Sequence, residues 1–399
     1  MNELENFHVD ELMNLYVCES CGSKEFNNAT CAYCGNKNEK LEAKILKLVS
    51  LLKNYTYFKL TPTIISLYAL KDLVNIKELT TFLTKHNIKE EIESQKANII
   101  TKIEKQEKLS LEEEQISTSL IESHLMSDFP VNLTIKNILL GKKLVSLDFF
   151  HEVIKLFVEN AMLSIADNRL PKYQPTCEIK EMTNLGGARN TSYIYISSDT
   201  VKKIYQGNLH NFQTIFHELT HIKQNINIAL DVASSRTIRY IKETIIDAVC
   251  QEQNIDFYHL EYQKLSMEID ANLEGWIYLR RYLEYLGVIE KKEKVSIEEI
   301  IVELEKKANY KINVADYDFL KQEELDFEEL FLICLNKKPE YFDLYPPLKL
   351  LYIRDNDTIR KKTKEELMDT IKSIQDINTI RYLVDVMIKE EKDCLNRSC

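Results

Sequence analysis

The stretch NFQTIFHELTHIKQ, residues 211–224, sets His217 and His221 four positions apart with Glu218 next to the first of them. Side chains at that spacing share one face of a helix, so both imidazoles can reach one metal ion while the Glu218 carboxylate leans beside it. A separate apolar stripe is present: Phe212, Ile215, Phe216, Leu219 and Ile222 recur at helical spacing. The segment therefore reads as an amphipathic helix with its histidines on the polar side. Chance supplies such a pattern in roughly one or two chains per hundred of this composition, by arithmetic applied to the motif. Two histidines do not close a metal site, so a third ligand has to come from another part of the chain.

Upstream, SLDFFHEVIKLFVENAMLSIADNRL (146–170) reads as a buried helix opened by Ser and Asp. TCEIKEM (176–182) and, after the turn NLGGARN (184–190), the alternating TSYIYIS (191–197) read together as a β-hairpin. Downstream, a helix is expected over about 236–253, and YQKLSMEIDANLEGWIYLRRYLEYLG (262–287) forms another that ends at Gly287. From 41 to 127 Leu, Ile, Lys and Glu alternate at helical spacing, PVNLTIKNILLGKK (130–143) breaks that pattern, and beyond 290 the chain is charged and helical to its end apart from LYPPLKL.

Composition bounds the function. The chain has 399 residues, 44% hydrophobic and 29% charged, with only 8 Gly and 7 Pro, which suits a soluble, helix-rich protein. A net charge of −11 argues against wholesale nucleic-acid binding, although a local basic patch stays open. The N-terminus MNELENFHVDEL carries no secretory signature, and no uncharged apolar run reaches the roughly 18 residues of a membrane span, so the expected location is cytoplasmic. Five of the nine cysteines, Cys177, Cys250, Cys334, Cys394 and Cys399, are scattered and read as plain thiols of a reducing compartment.

The HELTH segment resembles the gluzincin group of zinc peptidases, in which HExxH supplies two zinc ligands and a glutamate on a following helix supplies the third. The metzincin variant is excluded, because Gln224 and Asn227 stand where it needs glycine and histidine. In gluzincins the ligand glutamate is commonly followed four residues later by Asp or Asn, with a small residue just before. EIDAN (268–272) fits fully, with Glu268 as ligand, Ala271 as the small residue and Asn272 hydrogen-bonding a zinc histidine. ETIID (243–247) competes with Glu243 and Asp247 but places bulky Ile246 at the small position. Glu268 and Asn272 share a helix face, so one can bind metal while the other orients an imidazole. Glu268 ranks first and Glu243 second.

The resemblance implies hydrolysis of a peptide bond, with His217, His221 and Glu268 holding zinc and Glu218 as general base. It also implies that TSYIYIS is the edge strand above the cleft, where an extended peptide could add. For the oxyanion, the candidates are Tyr258, His259, Tyr262 and His210.

CESC (18–21) and CAYC (31–34) form two CxxC knuckles, each followed by glycine. Four thiolates suit a tetrahedral, structural zinc, and the nine-residue spacer fits a compact hairpin. Residues 16–37 resemble a zinc ribbon, which implies contact with a protein partner or a purely structural role; its balanced charge makes nucleic acid a poorer fit. The fold expected is α+β and predominantly helical, a gluzincin-like core of small sheet, HExxH helix and glutamate helix. Its parts are a ribbon (1–40), a helical region (41–140), a metallopeptidase-like domain (141–290) and a C-terminal helical region (291–399). Two zinc ions per chain are expected, one catalytic and one structural. The alternative function is a non-catalytic zinc-binding protein whose N-terminal ribbon contacts a protein partner or a nucleic acid.

Overall fold

With so few glycines and prolines to interrupt it, the chain folds predominantly into helices, with three small sheets among the described residues. The structure, a computed structural model, describes residues 3–27, 29–55, 59–71, 74–170, 172–182, 186–230, 232, 234–252, 266–292, 299 and 328–397, without the side chains of Arg189, His210, Ser235, Gln251 and 389–397. The oxyanion candidates Tyr258, His259 and Tyr262, and the side chains of His210, Cys394 and Cys399, lie outside this description. Two compact units divide the chain, Met1–Phe157 and Val158–Cys399. Among the described residues no helix is long and apolar enough to cross a membrane.

The first unit joins the cysteine module to the helical region. Its helices are α1 (Val9–Leu15), α2 (Glu39–Asn54), α3 (Pro62–Leu70), α4 (Lys77–Lys85), α5 (Ile88–Glu104), α6 (Leu111–Glu122), α7 (Val131–Leu139) and the start of α8 (Leu147–Ala166). Between α1 and α2 the spacer forms the expected hairpin, β1 (Phe26–Asn27) antiparallel to β2 (Thr30–Cys31). Asn38 starts α2 by accepting the Leu41 amide at 3.0 Å, its side-chain amide donates to Leu15 O at 3.1 Å and its backbone N–H to Ala29 O at 2.8 Å, which ties the hairpin to both flanking helices. The break read at 130–143 is instead helix α7. Pro130 leads into it and Gly141, at φ 79°, stops it, while Val131, Ile135 and Ile138 bury one face.

In the second unit, β3 (Thr176–Lys180), β4 (Gly186–Arg189) and β5 (Tyr193–Ser197) form one sheet in the order β3-β5-β4. This corrects two expectations. TCEIKEM and TSYIYIS are not a hairpin, because β3 pairs parallel to β5. Nor is TSYIYIS an edge strand: the segment read as a turn is itself strand β4, antiparallel to β5, and takes the edge. Its glycines look like turn residues in one dimension, yet what they provide is a strand whose first two residues carry no side chain, pressed against a helix.

After β5 come α9 (Ser198–Tyr205), α10 (Leu209–Ala229), α11 (Ser235–Glu252) and α12 (Ser266–Leu286). The five apolar residues expected to face inward on α10 are all buried. Helix α11 has two working faces. Ile238, Ile241, Ile245 and Val249 bury against Phe331, Leu335, Leu348 and Leu383 of the C-terminal part, while Glu243 faces the other way. That part consists of α13 (Glu328–Lys337), α14 (Glu340–Leu344), α15 (Leu348–Leu351), α16 (Lys364–Ser373) and α17 (Ile377–Arg397). It is not wholly helical as read: β6 (Tyr352–Asp355) and β7 (Thr358–Lys361) make a hairpin that turns at Asn356, φ 55°.

Candidate metal centre

Asn208 opens α10 by accepting the Asn211 amide at 3.2 Å, and the helix then carries His217 and His221 on the face it turns to α12. Helix α12 begins at Ser266, so Glu268 lies in its first turn. The three side chains converge. His217 Nε2 lies 3.4 Å from Glu268 Oε2, His221 Nε2 3.2 Å from Glu268 Oε1, and the two Nε2 atoms are 3.0 Å apart. Ligands at about 2.0–2.1 Å from a tetrahedral ion stand about 3.3 Å from one another, so these separations fit one small ion. Both rings are oriented from behind. Each Nδ1–H donates to an amide oxygen, His217 to Asn272 Oδ1 at 3.1 Å and His221 to Gln224 Oε1 at 2.8 Å, which leaves both Nε2 atoms turned towards Glu268.

Glu243 has a different task. It is buried and accepts from Ser266 N at 3.0 Å, Ser266 Oγ at 2.8 Å and Met267 N at 3.2 Å. These are amides at the start of α12 that would otherwise be unpaired, so Glu243 pins the turn that carries Glu268. Burial raises its pKa, against the pull of Ser266 and Met267. Asp270 binds α12 to α11 as well, through Arg236 and the Tyr240 hydroxyl.

Two residues were missed in the sequence. Gln224 appeared there only as a departure from another motif; it supports His221 and also donates from Nε2 to Met267 O at 3.0 Å, linking the two ligand helices. Gly275 marks where they touch. A Cβ on it would stand 2.9 Å from Gln213 Nε2, 3.1 Å from His217 N and 3.3 Å from His217 Cα. Ala271 is fully buried one turn earlier, so the four-residue spacing of small side chains was the available signal.

Glu218 is buried beside the triad. Burial raises its pKa, partly opposed by His217 and His221, and the Ala188 amide of β4 hydrogen-bonds its carboxylate. For Glu268, burial also favours the neutral form, but the two imidazoles outweigh it and hold the carboxyl well below its usual range. The site opens into a cleft of about 580 Å³, lined among others by Gly186, Gly187, Ala188, Tyr195, Glu218, Thr244 and Asp247.

Before a cation enters, burial disfavours charge on His221, yet the Glu268 carboxylate overrides it and raises the pKa to about 9. A metal needs the neutral imidazole. Binding at pH 7 should therefore release close to one proton from His221, and affinity should fall about tenfold per pH unit below about 9 for that proton. Calorimetric metal titrations in two buffers of different ionisation enthalpy, run with the cysteine cluster already filled, check this; an uptake of heat independent of buffer would contradict it.

The second candidate site is the cysteine cluster. Cys18 and Cys34 Sγ are 3.5 Å apart, Cys21 and Cys31 Sγ 3.6 Å, and all four sulfurs lie within 4.8 Å of one another. Four thiolates bonded at about 2.3 Å to a tetrahedral ion stand about 3.8 Å apart, close to this arrangement. The Ser20 and Cys21 amides lower the Cys18 pKa, and the Cys34 and Tyr33 amides, against burial, bring that of Cys31 down to about 6. Against the Ser23 and Asn36 amides, burial and the neighbouring thiols raise the pKa of Cys21 and Cys34, so before an ion enters the first cysteine of each knuckle is the one biased towards thiolate.

No family model matches this sequence, and no curated protein and no solved structure matches it.

Proposed function

We propose that the protein is a zinc-dependent peptidase that hydrolyses peptide bonds, with Glu218 as its general base. The observation that carries this reading is the convergence of His217, His221 and Glu268 on one point, braced by Asn272 and Gln224, with a buried carboxylate beside them in a cleft. A His₂Glu set leaves a position open, as catalytic zinc sites do, whereas structural sites are closed by four ligands. An ion held there lowers the pKa of water and polarises a carbonyl. Glu218 would take the proton from the attacking water and return it to the departing amine. Its buried setting raises its pKa above that of an ordinary carboxylate, against the pull of the two histidines, and the Ala188 amide holds it in place.

Strand β4 supports a peptide substrate. It is an edge of its sheet and runs along the cleft, where an extended chain could pair with its main chain. On the same reading the Cys18–Cys21–Cys31–Cys34 cluster holds a structural zinc, and the ribbon, with Tyr33 exposed at its second knuckle, offers a surface to a protein partner.

Metal analysis tests the proposal. The purified protein should hold two zinc ions per chain, Glu268→Ala should lose one and keep the other, and labelled casein should be cleaved by the wild type but not after chelation. A single zinc per chain, lost only when the cysteines are replaced, would instead support a non-catalytic interaction protein working through the ribbon.

A further inference from the structure

Beside the metal centre, the sheet contributes a second feature to the cleft. Tyr195 stands directly across from Gly187 in the β4–β5 register. A Cβ on Gly187 would run into the Tyr195 hydroxyl and ring carbons, so the phenol lies against the bare Cα of its cross-strand neighbour. Lys180 covers the ring, its ammonium 4.9 Å from the centroid. That ammonium is held by Glu178 at 3.2 Å, whose carboxylate also accepts from the Tyr193 hydroxyl. With its hydroxyl end against Gly187 and Lys180 near its face, the ring lines the cleft together with that glycine. Ala188, the next residue along β4, hydrogen-bonds Glu218. The phenol therefore sits one residue along the strand from the amide that holds the base.

We propose that the Tyr195 hydroxyl is a recognition group of this cleft: it hydrogen-bonds the main chain of a peptide laid along β4, and so helps hold that peptide beside Glu218. The proposal rests on the peptidase reading and specifies its substrate class. A phenol donates and accepts, as peptide groups do, and makes no demand on side-chain identity. The cleft thus selects an extended, unstructured segment by its backbone. Gly187 belongs to the device, since any side chain there displaces the ring.

Two measurements test it: anisotropy of labelled casein binding to protein carrying Glu218→Gln, and steady-state hydrolysis by protein that keeps Glu218. In Tyr195→Phe the ring keeps its seat and loses one hydrogen bond. The dissociation constant and KM should each rise about tenfold, with the loss in KM rather than kcat and metal content still two per chain. Gly187→Ala should weaken binding similarly, and the double variant should be no worse than the weaker single one, because both changes remove the same hydroxyl. A packing role for Tyr195 instead predicts that Phe binds as well as Tyr. Unchanged affinity in Tyr195→Phe, or additive losses in the double variant, overturns this proposal and leaves the peptidase reading standing. A wild-type protein that neither binds nor cleaves casein overturns both.

Discussion

Glu218→Gln should leave metal binding at His217, His221 and Glu268 unchanged and lower peptide hydrolysis by about a thousandfold. The amide has the volume of the carboxylate and its oxygen can still accept from Ala188, so the local packing survives. What is lost is a group that takes up a proton. Glu218 is not one of the three side chains whose donor atoms converge, and its replacement therefore has no reason to release the ion. Metal content and hydrolysis measured on the same preparation separate the two roles. Hydrolysis at the wild-type rate would remove Glu218 from the reaction, and loss of the ion would make it a ligand.

Glu243→Ala should destabilise the second unit by about 2–4 kcal/mol, because it leaves two backbone amides and a hydroxyl at the start of α12 without their acceptor in a buried setting. For a domain of this size that is a fall in Tm of about 6–12 °C. The same change loosens the turn that carries Glu268, so affinity at the metal centre should fall about 10–100-fold, as happens when outer groups are removed. Saturating metal should nevertheless restore full occupancy, which a lost ligand would not allow. Glu268→Gln should behave in the opposite way, with a small change in Tm and no ion at saturation. If Glu243→Gln abolished metal binding while Glu268→Gln kept it, the two assignments would be exchanged. Glu114 gives an independent comparison in the first unit, where its buried carboxylate accepts Ser146 N at 2.7 Å and so caps α8 as Glu243 caps α12.

Much of the centre was legible because helices write their geometry into local spacing. His217 and His221 four apart, Glu268 and Asn272 four apart, and the apolar stripe of α10 each depend on one helix, and the structure turns each to the expected face. The knuckles were legible for the same reason, since a CxxC turn and its following glycine are complete within five residues. The sheet was not. Pairing depends on partners remote in sequence, and a two-glycine segment has no side-chain pattern to distinguish a turn from a strand that must pass close to a helix. The β6–β7 hairpin was lost to the charged residues around it, whose buried anchors Tyr352 and Ile359 have their partners on α13 and elsewhere in the C-terminal core.

The sequence by itself determined the helical class, the two sets of potential metal ligands and the pairing of Glu268 with Asn272. Each is a short-range property, decided by which side chains one turn of helix or one tight loop brings together. Only the tertiary structure decided between Glu243 and Glu268. Both sit on helices with an acidic residue four positions on or an amide in its place, and the choice depends on where α11 lies against the start of α12. There Glu243 meets unpaired amides and Glu268 meets two imidazoles, so the same carboxylate becomes a cap in one place and a potential metal ligand in the other. Tertiary packing also put β4, not β5, at the edge beside α10, where its two glycines let the strand lie against the helix.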